Sequence, residues 1–308
     1  MLRKTVLATI VYYDALDYPM TAFEVWKHLI ATHDEVSSEA PTLGQVSGVL
    51  DGLVALGAIT RLSGFLILPQ RELLVSARIR SEKYAVPKIR RAAALAWKLA
   101  WVPFVRMIAL TGSLSMKRGD HESDWDFFVV LSGGAIWRGR TALSLVLQLF
   151  GKRRHGRYVE NRACLNYFIT DASLEIAMQD YFSASEYRFM YTLVGRDTER
   201  HFELANRWMA RLKPTYQPTT LPNFWLHSAS RLQLKLRLLL EQLFSWEGWE
   251  VKLSSWQKKK IEQNPKSQTP GAFIVANDQA LIFLPCPKGP AVFDRFKERL
   301  AVHGLLVS

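Results

Sequence analysis

Cysteine is scarce in this chain: Cys164 and Cys286 are the only two among 308 residues, and they form no C-x-x-C motif. This argues against a disulfide scaffold or a cysteine-based zinc site and points to a reducing, cytoplasmic setting. The seven histidines fall in no metal-ligand spacing. No uncharged apolar run reaches the ~20 residues that a spanning helix needs. The leucine-rich stretch from Leu232 to Leu243 is interrupted by Lys235, Arg237 and Glu241, so no membrane partner is expected. The N-terminus opens Met1-Leu2-Arg3-Lys4 and turns apolar, but Asp14 and Asp17 interrupt it and no small-residue cleavage site follows. A helix is expected there, not a signal peptide. Repeats and low-complexity tracts are absent. Acid is in deficit: 28 Asp and Glu against 40 Lys and Arg leave a net charge of +12. Such a charge attracts phosphate-bearing partners, whether nucleotide, RNA or DNA, without specifying one. The remaining composition, 49% hydrophobic and 22% charged, is that of a folded chain long enough for two or three domains.

The first seventy residues carry helix signals in quick succession. Val6, Leu7, Ile10 and Tyr13 are spaced for a helix that Asp17-Tyr18-Pro19 ends. Thr21 with Glu24 three residues on forms a capping-box pattern, predicting a second helix through Val25, Leu29 and Ile30. A third starts at Pro41-Thr42, turns Val46, Val49, Leu50 and Leu53 inward, and ends at Gly57. Ala58 to Arg61 and Phe65 to Leu68 flank a Leu62-Ser63-Gly64 turn. Three helices and a hairpin resemble a winged-helix domain over residues 1–70. Its third helix has no Lys or Arg and offers only Gln45 for base readout, so sequence-specific DNA binding is not expected.

Arg71 to Ala85 and Lys88 to Trp101 read as two basic helical segments divided at Pro87. Two short apolar runs follow, Val105 to Leu110 and Phe127 to Leu131, each the length of a buried strand. The first leads into Thr111-Gly112-Ser113. The second is preceded by Asp124-Trp125-Asp126, with the polar loop Met116 to Ser123 between. Residues i and i+2 share a strand face, so Asp124 and Asp126 point together while Trp125 enters the core. Adjacent carboxylates raise each other's pKa unless a cation intervenes. Hard Mg²⁺ takes such oxygens together with substrate phosphates.

Gly112-Ser113, ten residues, then Asp124-x-Asp126 on an apolar strand resembles the signature of the polymerase-β-like nucleotidyltransferase superfamily, over about Val105 to Ser185. The resemblance implies that Gly112 and Ser113 bind nucleotide phosphates. It also implies that Asp124 and Asp126 hold Mg²⁺ for in-line transfer, with Lys117 or Arg118 neutralising the leaving pyrophosphate. A third carboxylate is expected on a neighbouring strand. The position expected by order is Asn166, an amide; Glu175, between Leu174 and Ile176, is the alternative and is taken as the third catalytic carboxylate.

Beyond this, Ile136 to Phe150 reads as an amphipathic helix, and Lys152-Arg153-Arg154-His155-Gly156-Arg157 as a basic loop. Arg162 to Ile169 reads as a strand, and Ser183 to Val194 and Phe202 to Leu212 as helices. A linker is expected from Lys213 to Pro222, then a long core or oligomer-contact helix over Leu226 to Trp246, a hairpin around Asn277-Asp278-Gln279, and a final helix. Trp246, Trp249 and Trp256 alternate with lysines, as a base-stacking track would, although such spacing also suits a core.

The expected fold is therefore α+β. It comprises a winged helix (1–70), a nucleotidyltransferase-like α/β core with a mixed sheet (71–215) and a mainly helical C-terminal domain with a small hairpin (216–308). The expected function is Mg²⁺-dependent transfer of a nucleotidyl group from a nucleoside triphosphate to an RNA, protein or small-molecule acceptor. The alternative is a non-catalytic nucleotide- or nucleic-acid-binding protein on a degenerate core.

Overall fold

The computed structural model describes residues 2–31, 40–218 and 223–305. Residues 219–222 of the expected linker lie outside them.

The elements run α1 (Leu2–Ala15), β1 (Met20–Thr21), α2 (Ala22–Lys27), α3 (Leu43–Ala55), β2 (Thr60–Leu62), β3 (Phe65–Ile67) and α4 (Leu73–Lys98). Next come β4 (Val105–Leu110), α5 (Gly112–Ser115), β5 (Trp125–Leu131), α6 (Ile136–Leu149), β6 (Ala163–Thr170), α7 (Tyr181–Phe189) and β7 (Tyr191–Val194). The chain finishes with α8 (Arg196–Ala205), α9 (Met209–Leu212), α10 (Arg231–Leu243), α11 (Glu247–Glu262), β8 (Phe273–Ala276), β9 (Ala280–Leu284) and α12 (Gly289–Val302). The class is mixed α+β.

Local chemistry sets the N-terminal elements. The Thr21 hydroxyl accepts from the Glu24 amide while Glu24 reaches back to the Thr21 amide, the reciprocal capping box. Thr42 and Gln45 do the same at α3. The second helix stops at Lys27, so Leu29 and Ile30 lie past its end, although both are buried. β1, β3 and β2 form a small antiparallel sheet in that order. Val6, Val11, Val46, Leu50 and Leu66 share one core, and α12 closes it with Val292, Phe296 and Leu300.

The larger sheet is mixed, in the order β7-β4-β5-β6-β9-β8. β4 and β5 are antiparallel, and α6 carries the chain across so that β6 lies parallel to β5. The C-terminal hairpin β8–β9 joins this sheet through β6, so residues 216–308 are not set apart from the core. The sheet is buried on both faces. Trp125, Phe127, Val129 and Leu131 pack with α4 and α6 on one side. Phe128, Val130 and Ile169 pack with α7, α8 and α9 on the other.

Two expectations change here. Pro87 does not divide the leading segments: α4 is one helix of 26 residues that runs through it. The ring forgoes one helical bond, while Ala85, Ile89, Ala92 and Ala96 are held against the sheet core on either side of it. Tyr191–Val194 is a strand, not the end of a helix, because β4 offers it an open edge to pair with.

Candidate functional site

β4 ends at Leu110, and Thr111 donates its amide to the Asp126 carbonyl at 2.9 Å, tying the exit of β4 to the entry of β5. Gly112 then turns with φ +70°. A β-carbon there would collide with the Asp126 carboxylate. Glycine is needed because backbone and carboxylate meet at the turn. Ser113 is exposed beside it.

The loop before Asp124 is held from below. Lys88 on α4 is nearly fully buried and donates to the carbonyls of His121 at 2.6 Å and Ser123 at 2.8 Å. Ser123 and Asp120 close the loop on themselves.

Asp124 and Asp126 converge as their alternation requires. Asp126 pairs in register with Cys164 of β6, and the two carboxylates and the Cys164 sulfur present ligand atoms within 4.8 Å of one another. The register then slips between Asp126 and Phe128, leaving two residues of β6 opposite one of β5. Such a bulge re-aims a side chain, and the Asn166 amide nitrogen sits 3.5 Å from Asp126 Oδ1. Asn166, the position expected by order, is thus at the pair.

Glu175 is not. It lies exposed beyond β6, where it accepts from Gln179 at 2.8 Å. The structure brings a different carboxylate close: Glu186, half-buried on α7, which packs on the same face of the sheet as Asp126. Burial and the neighbouring Asp126 push its carboxyl up to about 7, against the pull of the Gly112 amide and Lys288. Burial, then Asp124, pushes Asp126 up to about 6, with Lys288 and Arg154 pulling the other way. The same surroundings push the Cys164 thiol up to about 12.

The cation bonded to the pair among the described residues is Arg154, from the basic loop. Its guanidinium donates to Asp124 Oδ2 at 2.6 Å and reaches Cys164 Sγ at 3.5 Å. Of the two cations expected to serve the leaving group, one has a partner outside the site. Arg118 donates to the Leu16 carbonyl at the end of α1. Lys117 is half-buried with φ +52°.

Sequence reasoning missed Lys88, Cys164 and Glu186. An apolar flank was the only signal at Cys164, and Glu186 follows only once α7 is packed on the sheet.

No family model matches the chain, and no curated protein or solved structure is significantly similar to it.

Proposed function

We propose that this chain is a Mg²⁺-dependent nucleotidyltransferase with a polymerase-β-like core and a winged-helix-like N-terminal unit, working in the cytoplasm. One observation carries the reading: Asp124 and Asp126 converge from the start of β5 onto the Gly112 turn. The turn from strand β4 into α5 fits the same reading. So does the order helix, strand and hairpin at the N-terminus. There α3 offers no cation and Arg61 of the hairpin is paired with Asp51 at 2.6 Å, which favours a structural or partner-binding role over DNA readout.

The donor set fits a divalent cation. Burial and the adjacent Asp124 together raise Asp126, and the Asn166 amide lies beside it. A cation bound there would neutralise phosphate charge and polarise the reacting oxygens. The chain's own part is positioning. Asp124 and Asp126 hold the triphosphate's metal side, the Gly112–Ser113 backbone approaches the phosphates, and Glu186 adds the third acidic group that Asn166 does not supply. An acceptor hydroxyl oxygen then bonds to the α-phosphorus, the bond from phosphorus to the pyrophosphate oxygen breaks, and the acceptor proton goes to solvent.

A second reading has its own support. Arg154 already neutralises Asp124, and an amide stands at the third position, as in a degenerate core that binds nucleotide without turnover. Incubation with each α-labelled triphosphate and Mg²⁺ separates the two. Labelled product with pyrophosphate release supports the transferase, whereas nucleotide binding with no product from any triphosphate supports the binder.

A further inference from the structure

α10 is mounted with its polar side against the protein. Gln233 donates to the Trp97 carbonyl at 2.7 Å, Arg237 to the Val105 carbonyl at 3.0 Å, and Glu241 accepts from the Phe104 amide at 2.7 Å while pairing with Arg106. None of its residues is buried. At 100° per residue, Leu232, Leu236, Leu239 and Leu243 form one stripe turned away from those anchors. Leu239 and Leu243 are 62% and 70% exposed. A core helix shows the reverse.

A second exposed apolar surface follows directly in the chain. Phe244, Trp246, Trp249 and Trp256 are all exposed. Lys252 lies 5.4 Å from the Trp246 ring and 6.0 Å from Trp249, and Lys260 lies 5.4 Å from Trp256. α11, too, is docked by polar groups: Glu250 accepts from the Trp137 and Arg138 amides at the start of α6, and Gln257 donates to Thr141. These anchors turn Glu241 and Glu250 inward, and Arg231, Lys235, Lys252, Lys259 and Lys260 are exposed against the two exposed acids Glu247 and Glu262, leaving a cationic excess.

We propose that α10 and α11 seat the protein on an anionic lipid bilayer, lying in its interface. Leucine enters the acyl boundary, tryptophan favours the headgroup level, and lysine and arginine meet anionic headgroups. A single-stranded nucleic acid would use the tryptophans and lysines but leave the leucine stripe in water. A second copy would cover the leucines but oppose two chains of charge +12. Only the bilayer answers both halves of the surface. No described helix is long and apolar enough to cross a membrane, so the contact is peripheral. This revises the sequence expectation of a chain with no membrane partner. It does not depend on the nucleotidyltransferase reading.

The test is flotation of the full chain with phosphatidylcholine vesicles, with and without phosphatidylserine. Wild type is expected to float with the anionic vesicles, at least ~10-fold less with neutral ones, and less as salt rises. Leu239→Glu with Leu243→Glu, and separately Lys252→Gln with Lys259→Gln and Lys260→Gln, should each lower binding ~10-fold at unchanged melting temperature. Failure of the wild type to float, or equal flotation of the leucine variant, overturns the proposal. So does a dimer by light scattering that the leucine variant dissolves. Binding of an oligothymidine strand that needs the tryptophans, with no flotation, overturns it in favour of nucleic acid.

Discussion

A side chain at position 112 would meet the Asp126 carboxylate, at a φ of +70°. The left-handed backbone alone costs an L residue about 1–2 kcal/mol. Gly112→Ala should therefore lower unfolding free energy by at least that in denaturant titrations and weaken Mg²⁺ binding as Asp126 is displaced; unchanged values for both would refute the turn's role. On the proposed reading, protons and metal compete for Asp126. Its carboxyl is raised to about 6, so below that pH the group is protonated and unable to ligate. Mg²⁺ affinity by calorimetry should be flat only above about 7, where Glu186 is also ionised, and should fall more steeply once the pH passes below about 6. Asp126→Asn should remove the lower part of that fall. Position also separates the two candidate glutamates. Glu175 bonds to Gln179 in solvent, whereas Glu186 lies near enough to Asp126 and the Gly112 amide to feel both. Glu175→Gln should leave turnover within about twofold, and Glu186→Gln should cut it by about 10²-fold or more, in the range of a lost metal-associated group; the opposite ranking would restore Glu175 to the site.

At the scale of elements, the anchoring of α10 rests on Glu241. It accepts from the Phe104 amide and pairs with Arg106 at 2.6 Å, and those partners hold its carboxyl below the ordinary range despite burial. Glu241→Ala should cost about 1.5–3 kcal/mol, as loss of hydrogen bonds to a charged group does. It should also speed hydrogen exchange along α10; protection equal to wild type would show that the helix is held otherwise. Elements governed by neighbours in the chain were legible beforehand. The box at Thr21, the start of α3 at Thr42, the β2–β3 turn and the strands β4 and β5 all follow from caps, turn residues and apolar runs. Elements governed by distant partners were not. α4 continues through Pro87 because both its halves are packed, β7 exists because β4 has an open edge, and β8–β9 joins the sheet because β6 does. The site divides in the same way. Two-residue alternation was enough to bring Asp124 and Asp126 together, whereas a β-bulge set Asn166 beside them and helix packing brought Glu186.

Over the whole molecule, the first and last helices meet. Asp14 of α1 bonds Arg71 at 3.0 Å and also pairs with Arg299 of α12, and Phe296 packs edge-on against Tyr12 at 5.2 Å. The N-terminal unit therefore shares its core with the C-terminal helix, and Arg118, just past the Gly112 turn, bonds to the end of α1. The paired carboxylates sit at the start of β5, on the sheet face that α7 covers. Both are half-buried surface groups at a strand start, not core, so removing their charge should leave the fold standing. The most direct measurement is calorimetric titration of a Mg²⁺-nucleoside triphosphate into the full chain and into Asp124→Asn with Asp126→Asn. Wild type should bind saturably, and the double variant, which loses both proposed ligands, should bind at least ~100-fold more weakly at unchanged melting temperature, beyond the ~10–100-fold that losing a ligand's supporting partner costs. Equal affinity in the two proteins would contradict the metal-site assignment.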